Sequence, residues 1–177
     1  GQVIDLANGT TEEPSNPDQP VDPDQPNVPA VGIYESDSAF VCAVDNSENA
    51  VYSLGASTVN GASVSGFKLG TGSKAGYFKS GVVSVEGAKY LNFYAVAWKG
   101  KSATLYYRVD GGEATAVTLN ANDGATGNPA YTITGVDADH YSVLLEGLTA
   151  TSTIEFSTDA SFASVSNDAS GRAIVFG

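Results

Sequence analysis

Acid–base chemistry in this chain would have to be assembled from one histidine, His140, and twenty carboxylates. A Ser-His-Asp triad needs that histidine as its base, a serine on a strained turn, and backbone donors for an oxyanion. No serine here lies in a nucleophile-elbow pattern or beside a glycine-rich oxyanion motif. His140 follows Asp137 and Asp139 where a loop passes into a strand-like run, and a solvated or capping role is expected for it. Glycoside hydrolysis needs two carboxyl groups facing each other across the scissile bond. Glu35, Glu146 and Glu155 fall within or beside strand patterns. Asp37, Asp45, Asp110, Asp123, Asp137, Asp139, Asp159 and Asp168 fall in turn contexts, where aspartate hydrogen-bonds its own backbone. The chain is expected not to be an enzyme.

Metal chemistry fares little better. With one Cys and one His, a thiolate–imidazole cluster is excluded by count. The oxygen-rich loop 120–128 offers carboxylate, amide and carbonyl groups to calcium through Asp123, with Asp137 and Asp139 from the next loop. It lacks the bidentate glutamate of the helical calcium loop. No cofactor is expected, and a structural calcium at Asp123, Asp137 and Asp139 is the alternative. Gly70-Thr71-Gly72-Ser73-Lys74 has neither the spacing nor the following helix of a phosphate loop, and reads as a hairpin connection. Cys42 lies in the apolar run 39–44 without a cationic neighbour, so a small buried hydrophobe is expected.

Binding chemistry is better supplied. Nine Tyr, seven Phe and one Trp make the chain 10% aromatic. Tyr94, Trp98 and Tyr106 alternate onto faces that need not be core. Flat rings stack on the apolar faces of sugars while neighbouring polar groups, here Arg108 and Asn92, fix orientation. Tyr94, Trp98, Tyr106 and Arg108 are therefore the candidate ligand-binding set. The competing role for Trp98 is packing at a strand end, between sheets.

These residues must be held by strands. Runs at 31–35, 38–44, 50–54, 64–69, 75–79, 82–85, 89–98, 102–109, 114–119, 130–134, 140–147, 152–157 and 172–176 are mostly bounded by Gly, Asn, Asp or Ser. In 89–98, Leu91, Phe93, Ala95 and Ala97 share one face, opposite Tyr90, Asn92, Tyr94, Val96 and Trp98. In 104–109, Leu105, Tyr107 and Val109 oppose Tyr106 and Arg108, and Asp110-Gly111-Gly112 supplies left-handed residues for a hairpin turn. Many short strands without a helical period predict an all-β, two-sheet antiparallel sandwich of jelly-roll type over 31–177. The terminal runs 31–35 and 172–176 are expected to lie side by side, and 158–171 to be irregular.

Upstream lies a different kind of chain. Prolines at 14, 17, 20, 23, 26 and 29 keep a period of three, with Pro-Asp-Gln-Pro occurring twice. Polyproline II has three residues per turn, so the rings line one edge of a rod. Sixteen such residues reach about 50 Å, and the acids between them favour extension. Residues 11–30 read as a tether, and residues 1–10, with Val3-Ile4-Asp5-Leu6, as an arm able to pair elsewhere. A formal charge of −12 repels phosphate backbones and anionic headgroups, so nucleic acid is not an expected partner. No stretch approaches the roughly 18 apolar residues of a membrane span, so no membrane insertion is expected. No signal peptide or initial Met is visible, as in a processed chain.

The segments 67–76, 93–100, 121–129 and 172–177 together resemble a β-sandwich module of Bacteroidetes surface and secreted proteins, similar to galactose-binding-like jelly rolls. The resemblance spans 31–177. It implies a position beyond a lipid anchor or beside other domains, although the lipid-bearing cysteine is missing from this sequence. The expected function is a non-catalytic, cell-surface or secreted (outer-membrane-tethered) binding or adhesion module, with a glycan or a surface protein as partner. The alternative is a structural protein–protein interaction module of a larger surface assembly or filament, self-associating through residues 1–30.

Overall fold

The computed structural model describes residues 38–42, 44–59, 62–98, 101–121, 132–133, 139–166 and 171–176. The arm, the tether and the predicted strand 31–35 lie outside this set; the expected place beside 172–176 is already filled, because residues 173–176 pair with 66–69 on one edge and with 94–97 on the other. The described chain forms β1 (Val51–Val59), β2 (Ala62–Leu69), β3 (Tyr77–Lys79), β4 (Gly87–Ala97) and β5 (Ala103–Val109). It continues through β6 (Thr115–Leu119), β7 (Thr132–Ile133), β8 (His140–Leu148), β9 (Ile154–Ser157) and β10 (Ala173–Phe176). One sheet has the order β7-β1-β2-β10-β4-β8 and the other β3-β9-β5-β6. Every pairing is antiparallel except β1 with β7.

The pairings nest. β5 pairs with β6, β4 with β8, β3 with β9 and β2 with β10, and successive pairs fall alternately in the two sheets. That wrapping is a jelly roll. Its innermost hairpin turns on Asp110 (φ 50) and Gly111 (φ 71), with Gly112 N–H donating to the Val109 carbonyl at 2.8 Å. Two successive left-handed residues match the twist of a hairpin, as Asp-Gly predicts.

Two-residue alternation sends one set of side chains between the sheets. Phe67 stacks on Phe78 at 4.1 Å, Phe93 meets Phe156 edge-on at 5.4 Å, and Phe93 and Tyr107 stand at 6.5 Å. Each of these contacts joins a strand of the larger sheet to one of the smaller. Burying one such ring contributes about 1.5–3 kcal/mol, so this aromatic layer is the main adhesive between sheets. Cys42 belongs to the same core, as expected.

Two predicted strands are not strands. Residues 38–42 and 44 form a 3-10 turn, Ser38–Phe40, and irregular chain. Phe40 packs edge-on against Phe156 at 6.3 Å, so this apolar run closes the core instead of extending a sheet. In 82–85, Val83 N–H donates to the Ser152 carbonyl, but Ser84 adopts φ 55 and breaks the alternation. Val82 and Val85 are left exposed. Residues 158–166 are turns with one isolated bridge, Lys74 to Ser166, in keeping with the irregular reading. No helix among the described residues is long and apolar enough to cross a membrane.

Candidate functional site

The four residues expected to form one ligand platform are divided between opposite surfaces. Tyr94 and Trp98 point outward from the larger sheet, Tyr106 and Arg108 outward from the smaller. The reason is topological: β4 and β5 follow each other in sequence but lie in different sheets. The same outward alternation on each therefore faces away from the other. A single platform from all four is ruled out by this geometry. Tyr94 is further excluded as an exposed surface, being 0% accessible and packed edge-on to His140 at 5.0 Å. His140 is thus part of a strand-on-strand ring contact. Asn92 and Ser142 oppose each other one step along the same face.

On the smaller sheet, Arg108 of β5 lies directly across from Glu155 of β9. Its Nε donates to Glu155 Oε2 at 2.8 Å and its second guanidinium nitrogen to Oε1 at 3.1 Å. Tyr77 Oη donates to Oε1 at 2.5 Å, and Gly111 N–H to Oε2 at 3.1 Å. The Arg108 guanidinium also lies 4.0 Å from the Phe162 ring. Glu155 is only 4% exposed. Burial pushes its carboxyl up, but the bonds from Arg108 and Tyr77, the Arg108 charge and the Gly111 amide outweigh this and hold it below the usual range. Burial and the Glu155 bond push the Tyr77 hydroxyl up to about 12. The Arg108 charge is therefore answered within the protein by Glu155. Tyr106, half-buried, sits across from Ala116 and Ser157.

The larger sheet presents a second cluster. Tyr52 of β1 opposes Lys68 of β2, which opposes Ile174 of β10, which opposes Val96 of β4. One step beyond, Trp98 N–H donates to the Arg172 carbonyl at 2.8 Å, which places their side chains together. Lys68 Nζ lies 4.3 Å from the Trp98 ring centre and 5.7 Å from that of Tyr52; Arg172 Cζ lies 5.3 Å from the Trp98 ring centre. Tyr52, Lys68, Trp98 and Arg172 are half-buried, and Ile174 and Val96 of the same face are fully buried. Trp98 is therefore an outer-face residue and not a wedge between the sheets. Burial, and then the Arg172 charge, lower the Lys68 pKa. Among the described residues the sole ion pair is that of Arg108 and Glu155, so neither Lys68 nor Arg172 has a carboxylate there. Lys68, Arg172 and Tyr52 escaped sequence reasoning because β2 and β10 are about a hundred residues apart in the chain. Alternation in Phe67-Lys68-Leu69 and in 172–175 was the available signal.

Asp159 accepts a backbone N–H bond from Ser161 at 2.8 Å, the local turn role anticipated, whereas Asp45 and Asp110 accept from Ser53 and Thr153, each at 2.9 Å, and so tie their turns to other segments. Asp139 is half-buried; burial raises its pKa, and a hydrogen bond from Asn120 opposes the rise. The two loops proposed for calcium therefore approach each other at Asn120 and Asp139. Asp123 and Asp137 lie outside the described residues. Among those described, no three His, Cys, Asp or Glu stand close enough together to hold a metal. A depression of about 270 Å³ is lined by Cys42, Asn46, Asn49, Tyr77 and Lys79 among others. Burial and then Asp45 raise the Cys42 thiol pKa, and its Sγ–H donates to the Val44 carbonyl at 3.3 Å. That leaves little thiolate.

No protein-family model matches this sequence, and no curated protein matches it. One solved structure is similar, described as a family GH115 4-O-methyl-α-glucuronidase with specificity for decorated arabinogalactans. It aligns with a TM-score of 0.31 and 10% identity over 75% of this chain, which corresponds to 18% of that protein. Superposition at that score bears on neither fold nor function.

Proposed function

We propose that this chain is a non-catalytic carbohydrate-binding module acting at the cell surface or in the extracellular space, with Trp98 as its stacking surface. The observation that carries this reading is the Trp98 ring on the outer face of the larger sheet, with Lys68 Nζ over it at 4.3 Å from the ring centre and Arg172 Cζ at 5.3 Å. An aromatic ring beside directional donors is the combination sugar recognition uses: the ring takes the C–H face, and the donors take hydroxyl or acid oxygens. Residues 11–30, on this reading, hold the module away from its anchor.

Trp98 is the chain's one tryptophan, so fluorescence excited beyond the tyrosine absorption band reports on this surface alone. Titration with a broad polysaccharide panel is expected to shift or quench the emission with at least one ligand. The Trp98→Ala variant, followed by calorimetry, is expected to lose that binding about a hundredfold or more, as for a central aromatic anchor. Silence of the wild-type protein across the panel overturns the proposal.

A further inference from the structure

We infer that the saccharide bound at Trp98 is acidic, with its carboxylate held jointly by Lys68 and Arg172. The inference rests on the carbohydrate-binding reading and adds the charge of the ligand to it. Its basis is a contrast internal to the molecule. Twenty acids and eight bases make carboxylates plentiful, and on the smaller sheet Arg108 is met by a nearly buried Glu155. On the larger sheet two cations instead converge on one ring, close enough for the Arg172 charge to disfavour protonation of Lys68. Among the described residues no carboxylate pairs with either.

Like charges held side by side and half-desolvated destabilise the free protein. An anion entering between them removes that repulsion and gains two charge-assisted hydrogen bonds, which are roughly twice as strong as neutral ones. A neutral sugar would leave the repulsion in place. The net charge of −12 works against any anion at long range. Recognition must therefore be short-range and local, which is what one ring with two donors supplies. A uronic acid fits both requirements: its carboxylate projects from the edge of a pyranose whose axial C–H bonds make an apolar face.

The test compares oligogalacturonate, the same oligomer with every carboxyl methyl-esterified, and a synthetic peptide of residues 11–30, each titrated into the full chain. The oligogalacturonate is expected to bind and to weaken as salt rises, with the ester at least about tenfold weaker. Lys68→Gln and Arg172→Gln are each expected to cost about tenfold toward the acid and little toward the ester. Arg108→Gln, on the opposite face, is expected to leave affinity unchanged. Equal binding of acid and ester, or Lys68→Gln and Arg172→Gln variants with unaltered affinity, overturns the acidic-ligand inference and leaves the carbohydrate reading standing. Binding of neutral polysaccharides but not of the acid does the same. Absence of binding by every saccharide removes both, and capture of the peptide alone assigns the surface to an acidic protein segment instead.

Discussion

The chain contains two arginines, and the jelly roll places one on each outward surface, each against an aromatic ring. Arg108 lies 4.0 Å from Phe162 and Arg172 lies 5.3 Å from Trp98. Their electrostatic surroundings are opposite. Arg108 faces a carboxylate that also receives Tyr77 and the Gly111 amide, so every charge is answered inside the protein. Arg172 faces a second cation, Lys68. A guanidinium–aromatic contact is thus no mark of function by itself; the carboxylate beside it decides. The closed cluster belongs to folding; on the reading proposed above, the charges left unanswered in the other are what an outside ligand would meet.

If that division is right, breaking the closed cluster should damage stability first. Glu155→Ala removes the acceptor of four hydrogen bonds at a nearly buried position. It is expected to cost about 2–3 kcal/mol, a fall of roughly 6–10 °C in Tm. Calorimetric melting checks this, and saccharide affinity at Trp98 should survive. A loss of affinity equal to that of Trp98→Ala, with the fold intact, would collapse the distinction between the two surfaces.

The closed cluster should also leave its mark on the pH dependence of stability. The Glu155 carboxyl titrates lower in the folded protein than in the unfolded chain, where about 4.3 is usual. Its contribution is complete above the unfolded value and drains away as pH falls through the folded one. The Tyr77 hydroxyl is raised to about 12 from an ordinary value near 10. Its contribution is complete below the ordinary value and is lost as pH climbs through the raised one. Denaturant melts across pH are therefore expected to show, from this cluster, an acid limb below about pH 5 and an alkaline limb above about pH 10. Glu155→Gln should flatten the acid limb and Tyr77→Phe the alkaline limb; a variant pair with both limbs unchanged would count against the cluster.

Which parts of this were legible beforehand follows from how far the information travels along the chain. Alternation is local, so the faces of β4 and β5 were read correctly residue by residue, and Asp110-Gly111 announced its own turn. Sheet membership is not local. Nothing in the sequence between Trp98 and Tyr106 says that the chain crosses from one sheet to the other there, and the single platform failed on that point. Tyr94 illustrates a further limit: outward orientation is encoded by parity, whereas accessibility depends on what lies over the face. Apolar runs such as 38–44 mislead for a related reason, since a core can be closed by irregular chain as well as by a strand, and hydrophobicity alone does not distinguish them.

The smallest expected effect sharpens the comparison most, because its sign is unusual. Replacing a cation in the closed cluster should destabilise, while replacing Lys68 should not. Lys68 is half-desolvated, its charge is disfavoured by burial and by Arg172, and the described residues hold no carboxylate partner for it. Lys68→Met keeps an unbranched chain of similar length over the Trp98 and Tyr52 rings and removes the repulsion. Its stability is expected to equal or exceed the wild type by a few tenths of a kcal/mol, within about 0.5 kcal/mol. What is lost in charge attraction to two rings, typically about 0.5–1 kcal/mol at accessible sites, is offset by desolvation no longer incurred. Chemical denaturation at neutral pH reads the difference directly. A destabilisation well beyond that range would mean that Lys68 is held for the fold, as Arg108 is, and the larger sheet would lose its claim to an open site.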